Sequence, residues 1–250
     1  MAAVAAPAEL PAPFAWAGEH VAIDLGHCAR ALFTGRRGGV SRAPYASLNL
    51  EPRSADDPAA VAENRARVAA AAGVEHVLSA TQVHGTRVAR DGDEDVTEAD
   101  AHVTARHGVG CLVLTADCIP VALATEGAVA MVHAGWKGVA GRILGEAVTA
   151  LRDLGAKHGE ISAAIGPCAR GCCYEVQDDV RTALGVAPLG RPAPIDLPAL
   201  AREQLHAAGV ATVHDVGLCT MCTDPQLFFS HRRDGPVTGR QGGIAWRRPR

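Results

Sequence analysis

Two hydrophobic rhythms run along this chain. The stretch opening at Asp56-Asp57-Pro58 places Val61, Arg65, Val68, Ala69 and Ala72 at helical spacing and closes on Gly73. An acidic N-cap, a first-turn proline and a terminal glycine predict a helix there. A second helix is predicted from about Gly138 to Leu154 before Gly155, a third from about Glu175 to Leu184, and a fourth from Asp196-Leu197-Pro198 to near Gly209. The other rhythm is a set of short apolar runs bounded by turn residues: Val77 to Val83, Cys111 to Ala116, Ile119 to Ala124 and Ala128 to Val132. These predict strands buried on at least one face, with Ala163 to Ile165, Ala211 to Val216 and Gly243 to Trp246 as further candidates. Strands outnumber helices and several follow one another directly, which predicts an α+β domain of mixed sheets with flanking helices rather than a regular βαβ winding. Residues 1–18 and Ala187 to Pro194 read as irregular, leaving 19–250 as a single domain.

Composition narrows the class. The 250 residues are 48% apolar and 20% charged, enough for a sizeable core and unlike a disordered or collagen-like chain. A net charge of −3 gives no footprint for nucleic acid or an anionic membrane, and Arg247, Arg248 and Arg250 read as a solvated basic tail. No run approaches the roughly 18 apolar residues needed to span a bilayer. The start has several prolines and no positive n-region, so the expected location is cytoplasmic and the eight cysteines are expected as thiols.

The densest chemistry lies in Thr115-Ala116-Asp117-Cys118-Ile119-Pro120 and Met131-Val132-His133-Ala134-Gly135-Trp136, two apolar strands joined by a Glu126-Gly127 turn. With an even loop, Cys118 lies opposite or diagonal to His133 on one face of the hairpin. His84, ending a strand before Gly85, is a candidate third donor. His/Cys/His ligation leaves tetrahedral Zn²⁺ one open position, as in a catalytic site. The alternative is a buried Cys118 beside unrelated histidines. Cys219-Thr220-Met221-Cys222 and Cys168 with Cys172 and Cys173 look like two zinc-knuckle halves, or are inert core thiols. Gly135, Gly138 and Gly141 follow GxxGxxG spacing and do not make a dinucleotide-binding loop.

Several motifs occur in a recognisable order. Arg36-Arg37-Gly38-Gly39-Val40-Ser41, Ser47-Leu48-Asn49-Leu50, Thr81-Gln82-Val83-His84-Gly85, Ala99-Asp100-Ala101, Thr115-Ala116-Asp117-Cys118-Ile119-Pro120-Val121 and Val132-His133-Ala134-Gly135-Trp136-Lys137-Gly138 come first. Ile165-Gly166-Pro167, Cys173-Tyr174-Glu175-Val176, Cys219-Thr220, Phe228-Phe229-Ser230-His231-Arg232-Arg233 and Thr238-Gly239-Arg240 follow. From about Phe33 onward, the chain resembles the YfiH family, also called the multicopper polyphenol oxidase or laccase-domain family. Lys137 stands where that family more often has Arg, and Gln177 where it often has Gly. Cys168, Cys172 and Cys222 lie outside its pattern.

The resemblance implies α/β/β/α-like layers and zinc on His84, Cys118 and His133, with copper as a substitute. It implies phosphorolysis of adenosine, inosine and methylthioadenosine, with adenosine deamination besides, and in some members peptidoglycan-precursor editing. The expected partners are small nucleosides and phosphate, in a monomer or small homo-oligomer. Arg36 is expected to hold phosphate, and Asp117 to orient a ligand or act as acid or base. Asn49, Asp100, Lys137 and Arg233 are expected substrate contacts, though Lys137 lacks the bidentate fork of Arg. Trp136 is expected as a packed wall and Phe228-Phe229 as core. Three rivals remain. In one, Cys118 is a nucleophile activated by His133 in a hydrolase. Another is a copper-dependent polyphenol oxidase, although none of the 11 histidines forms an HxH pair. The third is a purely structural zinc.

Overall fold

The helix predicted after Asp57 forms as its end signals dictate. In the computed structural model, which describes residues 9–26, 28–93, 96–157 and 159–248, α1 spans Pro58–Ala72. The Asp57 side chain accepts the Ala59 N–H, and Gly73 takes the left-handed cap at φ 65°.

One six-stranded sheet runs in the order β1 (Ala15–Ala17), β2 (His20–Leu25), β3 (Ala29–Phe33), β14 (Gln241–Arg247), β7 (Val109–Thr115) and β4 (His76–Leu78). The second runs β13 (Thr212–Asp215), β10 (Ser162–Ile165), β8 (Ile119–Ala124), β9 (Val129–Ala134), β6 (Ala101–Thr104) and β5 (Val88–Arg90). A small ribbon pairs β11 (Glu175–Val176) with β12 (Ala193–Pro194). The other helices are α2 (Trp136–Ala140), α3 (Ile143–Asp153), α4 (Asp178–Ala183), α5 (Leu197–Ala207) and α6 (His231–Asp234).

Three apolar clusters define the layers. Leu48, Leu50 and Val68 of the α1 side pack on Leu112 and Ile244 of the first sheet. Phe33, Val113, Ala122, Met131 and Phe228 fill the space between the sheets. Val121, Leu123, Val132, Ile143, Leu144, Val148 and Leu205 pack the second sheet against α3 and α5. The result is the expected α/β/β/α arrangement in a single-domain α+β fold. β8 and β9 read as unbroken apolar runs because each is covered on both faces.

Several expectations change. The helix drawn from Gly138 to Leu154 is two helices, α2 and α3, broken at Gly141-Arg142, where Arg142 has φ 67°. The helix drawn from Glu175 begins only at Asp178, because Glu175 and Val176 pair with β12, which also makes residues 193–194 of the supposed irregular segment a strand. The strand drawn to Val83 stops at Leu78. In the presumed leader, residues 1–8 lie outside the described residues, but Ala15–Ala17 pairs with β2. Arg247 belongs to β14 and donates to the Ala105 and Glu126 carbonyls, and Arg248 faces Asp24, so these two are tied down rather than solvated. Arg250 lies outside the described residues. The sequence reading did not mark β1 to β3; β1 and β3 are short and Ala-rich, which gives them low strand propensity, whereas β2 carries alternating Val21, Ile23 and Leu25 and was passed over, and pairing with β14 organises β3. Trp136 packs against the helix-side core, and Phe228 and Phe229 are fully buried, both as expected.

Candidate metal centre and its cavity

Between β7 in one sheet and β8 in the other, the chain crosses in three residues, Ala116-Asp117-Cys118. Asp117 turns this corner at φ 97°, a conformation that disfavours a side chain. It is held on three sides: Thr220 Oγ1 donates to Oδ1 at 2.7 Å, the Arg232 N–H to Oδ2 at 2.8 Å, and the Ala169 N–H to its carbonyl at 2.8 Å. Cys118 therefore precedes β8. With Pro120 opposite His133 across the Thr125 to Ala128 loop, Cys118 lies diagonal to His133 on the same face.

His84 arrives from a different direction. It sits in the left-handed region at φ 59°, with the N–H groups of Val83, His84 and Gly85 all donating to the Asp100 carboxylate at 3.1, 3.0 and 2.8 Å. These donors serve a side chain rather than a ladder, so Val83 at the end of the expected strand is not part of a sheet. Asp100 Oδ1 also bonds His133 Nδ1 at 2.7 Å, leaving Nε2 as the free ring nitrogen. One buried carboxylate thus orients both histidines. Gln82 fixes the same loop to β7 by exchanging hydrogen bonds with the Leu114 N–H and carbonyl.

The donor atoms of His84, Cys118 and His133 lie within 4.8 Å of one another, with Cys118 Sγ 3.9 Å from His84 Nε2. Zn–S and Zn–N bonds at a tetrahedral angle would set such a pair about 3.6 Å apart. A Cβ on Gly135 would meet His84 at 2.9 Å and Cys118 Sγ at 3.2 Å, so only glycine lets the helix α2 turn follow so closely. The donor set and its spacing fit a divalent metal with one position left open.

Electrostatics prepare the donors. Burial pushes the Cys118 thiol up, but His133 and His84 outweigh it and bring it down to about 6. Burial likewise disfavours the His133 cation, yet Cys118 and Asp100 raise it to about 9. Burial opposes ionisation of Asp100 too, and the bonds from His133, Gly85 and Val83 still hold its carboxyl below the usual range.

The trio forms one wall of a cavity of about 750 Å³. Arg53, Arg65 and Arg240 give the other walls a positive character, opposed by Glu51, and His231 completes the lining. Thr115 Oγ1, in the lining, is buried with no hydrogen-bond partner.

The residues singled out from the sequence fall in different places. His84, Cys118 and His133 come together in the cavity wall. Asp100 is fully buried behind two of them. Asn49 is also fully buried, bonding Ser54, Asp56 and the N–H groups of Glu51 and Arg240, so it secures the segments that carry Arg53 and Arg240. Arg233 donates to the Thr220 and Phe228 carbonyls and pairs with Asp234. Arg36 donates to the Ala46 and Pro225 carbonyls, faces Asp234 and stacks 4.5 Å over Phe229, outside the cavity lining. Lys137 is exposed with its ammonium over Trp136. The sequence reading passed over Arg53, Arg65, Arg240 and Thr115. Arg240 and Thr115 lay inside recognised motifs, whereas Arg65 carried only a helical-spacing signal.

Residues 30–248 match the family described as multi-copper polyphenol oxidoreductase laccase. The chain belongs to this family. Among its relatives, "Purine nucleoside phosphorylase" of Deinococcus radiodurans is 43% identical over 223 residues, covering 85% of this chain and 87% of that one. "Purine nucleoside phosphorylase ORF3" of Streptomyces griseus is 41% identical, covering 91% and 98%. The crystal structure of YlmD from Geobacillus stearothermophilus matches with a TM-score of 0.86 at 33% identity, over 96% of this chain and all of that one. Bacillus licheniformis hypothetical protein YfiH matches with a TM-score of 0.85 at 30% identity, over 94% and 99%. The relatives' names support an enzyme role, and the family together with the His/Cys cluster supports metal use. No helix among the described residues is long and apolar enough to cross a membrane.

Proposed function

We propose that this protein is a zinc-dependent purine nucleoside phosphorylase acting on adenosine, inosine and methylthioadenosine. The observation that carries the reading is one cavity, of a size that suits a small-molecule site, lined by the His84, Cys118 and His133 cluster and by three arginines. Bound there, zinc would supply a Lewis-acid centre with a coordination position open to substrate. Arg53, Arg65 and Arg240 bring the cavity the positive charge that inorganic phosphate needs, the role expected of Arg36 from sequence. Arg65 also donates to the Leu50 carbonyl and Ser79, Arg240 to the Thr238 and Gly239 carbonyls, and Arg53 pairs with Glu51. In phosphorolysis a phosphate oxygen bonds to ribose C1′ as the C1′–N9 bond breaks. The bonding pair leaves on the purine, which takes up a proton. Asp100 keeps His133 in the tautomer that presents Nε2.

Hydrolytic deamination of adenosine, in which water adds at C6 and ammonia leaves, suits the same open position. Copper also fits these donors, and refilling the protein with copper tests its use through phenol oxidation. A second reading rests on the Cys118, His133 and Asp100 alignment: a cysteine nucleophile with its base and orienting carboxylate, as a precursor-editing hydrolase would need. Chromatography of products from each nucleoside, with and without phosphate, separates these. Free purine and ribose phosphate, formed only with phosphate and absent from Cys118→Ala, are expected. Inosine from adenosine without phosphate reports deamination. No consumption of any nucleoside by zinc-loaded protein would reject the phosphorylase reading. Iodoacetamide labelling of Cys118 that chelator does not enhance would then favour the hydrolase.

A further inference from the structure

β10 and β13 are parallel neighbours, so the loops leaving Ile165 and Asp215 emerge from the same end of the second sheet. Two backbone bonds keep the loops side by side: the Cys168 N–H donates to the Leu218 carbonyl at 3.2 Å and the Thr220 N–H to the Cys168 carbonyl at 3.0 Å. This pairing brings Cys172 and Cys173 of one loop against Cys219 and Cys222 of the other. The Sγ atoms of Cys172 and Cys222 are 3.1 Å apart, those of Cys173 and Cys219 3.4 Å, and Cys173 is 3.6 Å from both Cys172 and Cys222. All four sulfurs fall within 4.8 Å of one another.

From this geometry we propose that Cys172, Cys173, Cys219 and Cys222 form a second metal site, a closed tetrathiolate that holds one Zn²⁺. Sulfurs bound to one tetrahedral zinc at about 2.3 Å stand about 3.8 Å apart, and a disulfide would require about 2.05 Å. Three of these four separations lie within about 0.4 Å of the first value, and all four, including the 3.1 Å of Cys172 and Cys222, are longer than a disulfide by about 1 Å or more. The N–H groups of Cys222 and Met221 also point at Cys219 Sγ, as in a turn that wraps a metal-bound sulfur. Cys168, grouped with these residues from spacing, is instead buried in the helix-side core and takes no part.

Four sulfur ligands leave no open position, so this site is structural. Its place gives it a task. Thr220, between the two cysteines of one loop, and Ala169, ahead of those of the other, both bind Asp117, the corner residue before Cys118. An ion across the four cysteines would fasten together the two loops that hold this corner. The proposal is independent of the nucleoside chemistry.

The test uses the full chain with His84→Ala and Cys118→Ser, purified with reductant and zinc so that the first site is empty. Elemental analysis is expected to find one zinc per chain, with X-ray absorption showing an all-sulfur shell. Adding Cys172→Ser and Cys222→Ser is expected to remove that equivalent. Native mass spectrometry of the unsubstituted chain supplies a check that needs no variant: two zinc ions, and Cys172, although exposed, alkylated only after chelation. Four free thiols without metal, a pair of disulfides in freshly reduced protein, bound iron, or zinc retained by the Cys172/Cys222 variant would each overturn the proposal.

Discussion

The two sulfur-bearing clusters of this protein differ in the features that separate reactive from structural chemistry. In the His84, Cys118 and His133 cluster, mixed nitrogen and sulfur donors come from one hairpin and a separate loop, a buried carboxylate bonds the His133 imidazole and the His84 backbone N–H, and the group opens into a cationic cavity. In the Cys172, Cys173, Cys219 and Cys222 cluster, four like donors come from two adjoining loops, and none of them lines that cavity. The first arrangement requires strained backbone at His84 and Asp117, whereas none of the four cysteines has a positive φ. Donor type, carboxylate support and backbone strain thus set the candidate metal centre apart from the proposed tetrathiolate.

The largest expected break in this contrast is Cys118→Ala. Phosphorolysis is expected to fall at least about a thousandfold, equivalent to about 4 kcal/mol of transition-state stabilisation. Rate and metal content measured together should show one zinc lost and the tetrathiolate zinc kept.

Asp100→Asn is next. Replacing the carboxylate behind His84 and His133 should weaken metal binding at the first site by about 10–100-fold, read by competition with a chromophoric chelator, and leave the four-cysteine site unchanged. Equal weakening at both would erase the distinction.

The pH dependence sharpens it further. His133 is raised to about 9 and Cys118 lowered to about 6, so between these values the metal-free pair is imidazolium and thiolate and carries one proton that a metal must displace. Affinity at the first site should therefore rise about tenfold per pH unit from neutral pH and flatten above about 9, with about one proton released per metal bound. Calorimetry in buffers of different ionisation enthalpy measures that proton.

The smallest effect is expected from Thr220→Val, which removes the bond to Asp117 Oδ1. A loss of about 1 kcal/mol, or roughly 2–4 °C in Tm, is expected. Thr220 lies between Cys219 and Cys222 and touches the corner before Cys118, so this variant alone should perturb both sites slightly.

How far the sequence could be read depended on how local each signal was. Asp57, Pro58 and Gly73 bounded α1 because capping involves groups a few residues apart. Cys118 and His133 could be placed on one face because a hairpin has only one parity to choose. Asn49, Arg233 and Arg36 lay in recognised motifs, yet each binds backbone carbonyls, amides or buried polar groups, and a motif match does not separate a residue that touches substrate from one that holds the wall. Arg65 showed the opposite limit. Its helical spacing gave no hint of the cavity, which it meets only because α1 packs beside the Ser79 segment.

By itself the sequence determined the element types where caps and apolar runs were strong and the layered class of the fold, and it singled out the three side chains that the structure brings together in the candidate metal centre. Each is set by interactions within a turn, a strand or a hairpin, or by motifs that kept their order. Tertiary structure alone decided that Asp100 stands behind both histidines, that β14 closes the first sheet between β3 and β7, and that Cys172 and Cys173 meet Cys219 and Cys222. These pairings join residues tens to hundreds of positions apart, and only the packing of the two sheets and the parallel course of β10 and β13 selects them from many alternatives of equal local cost.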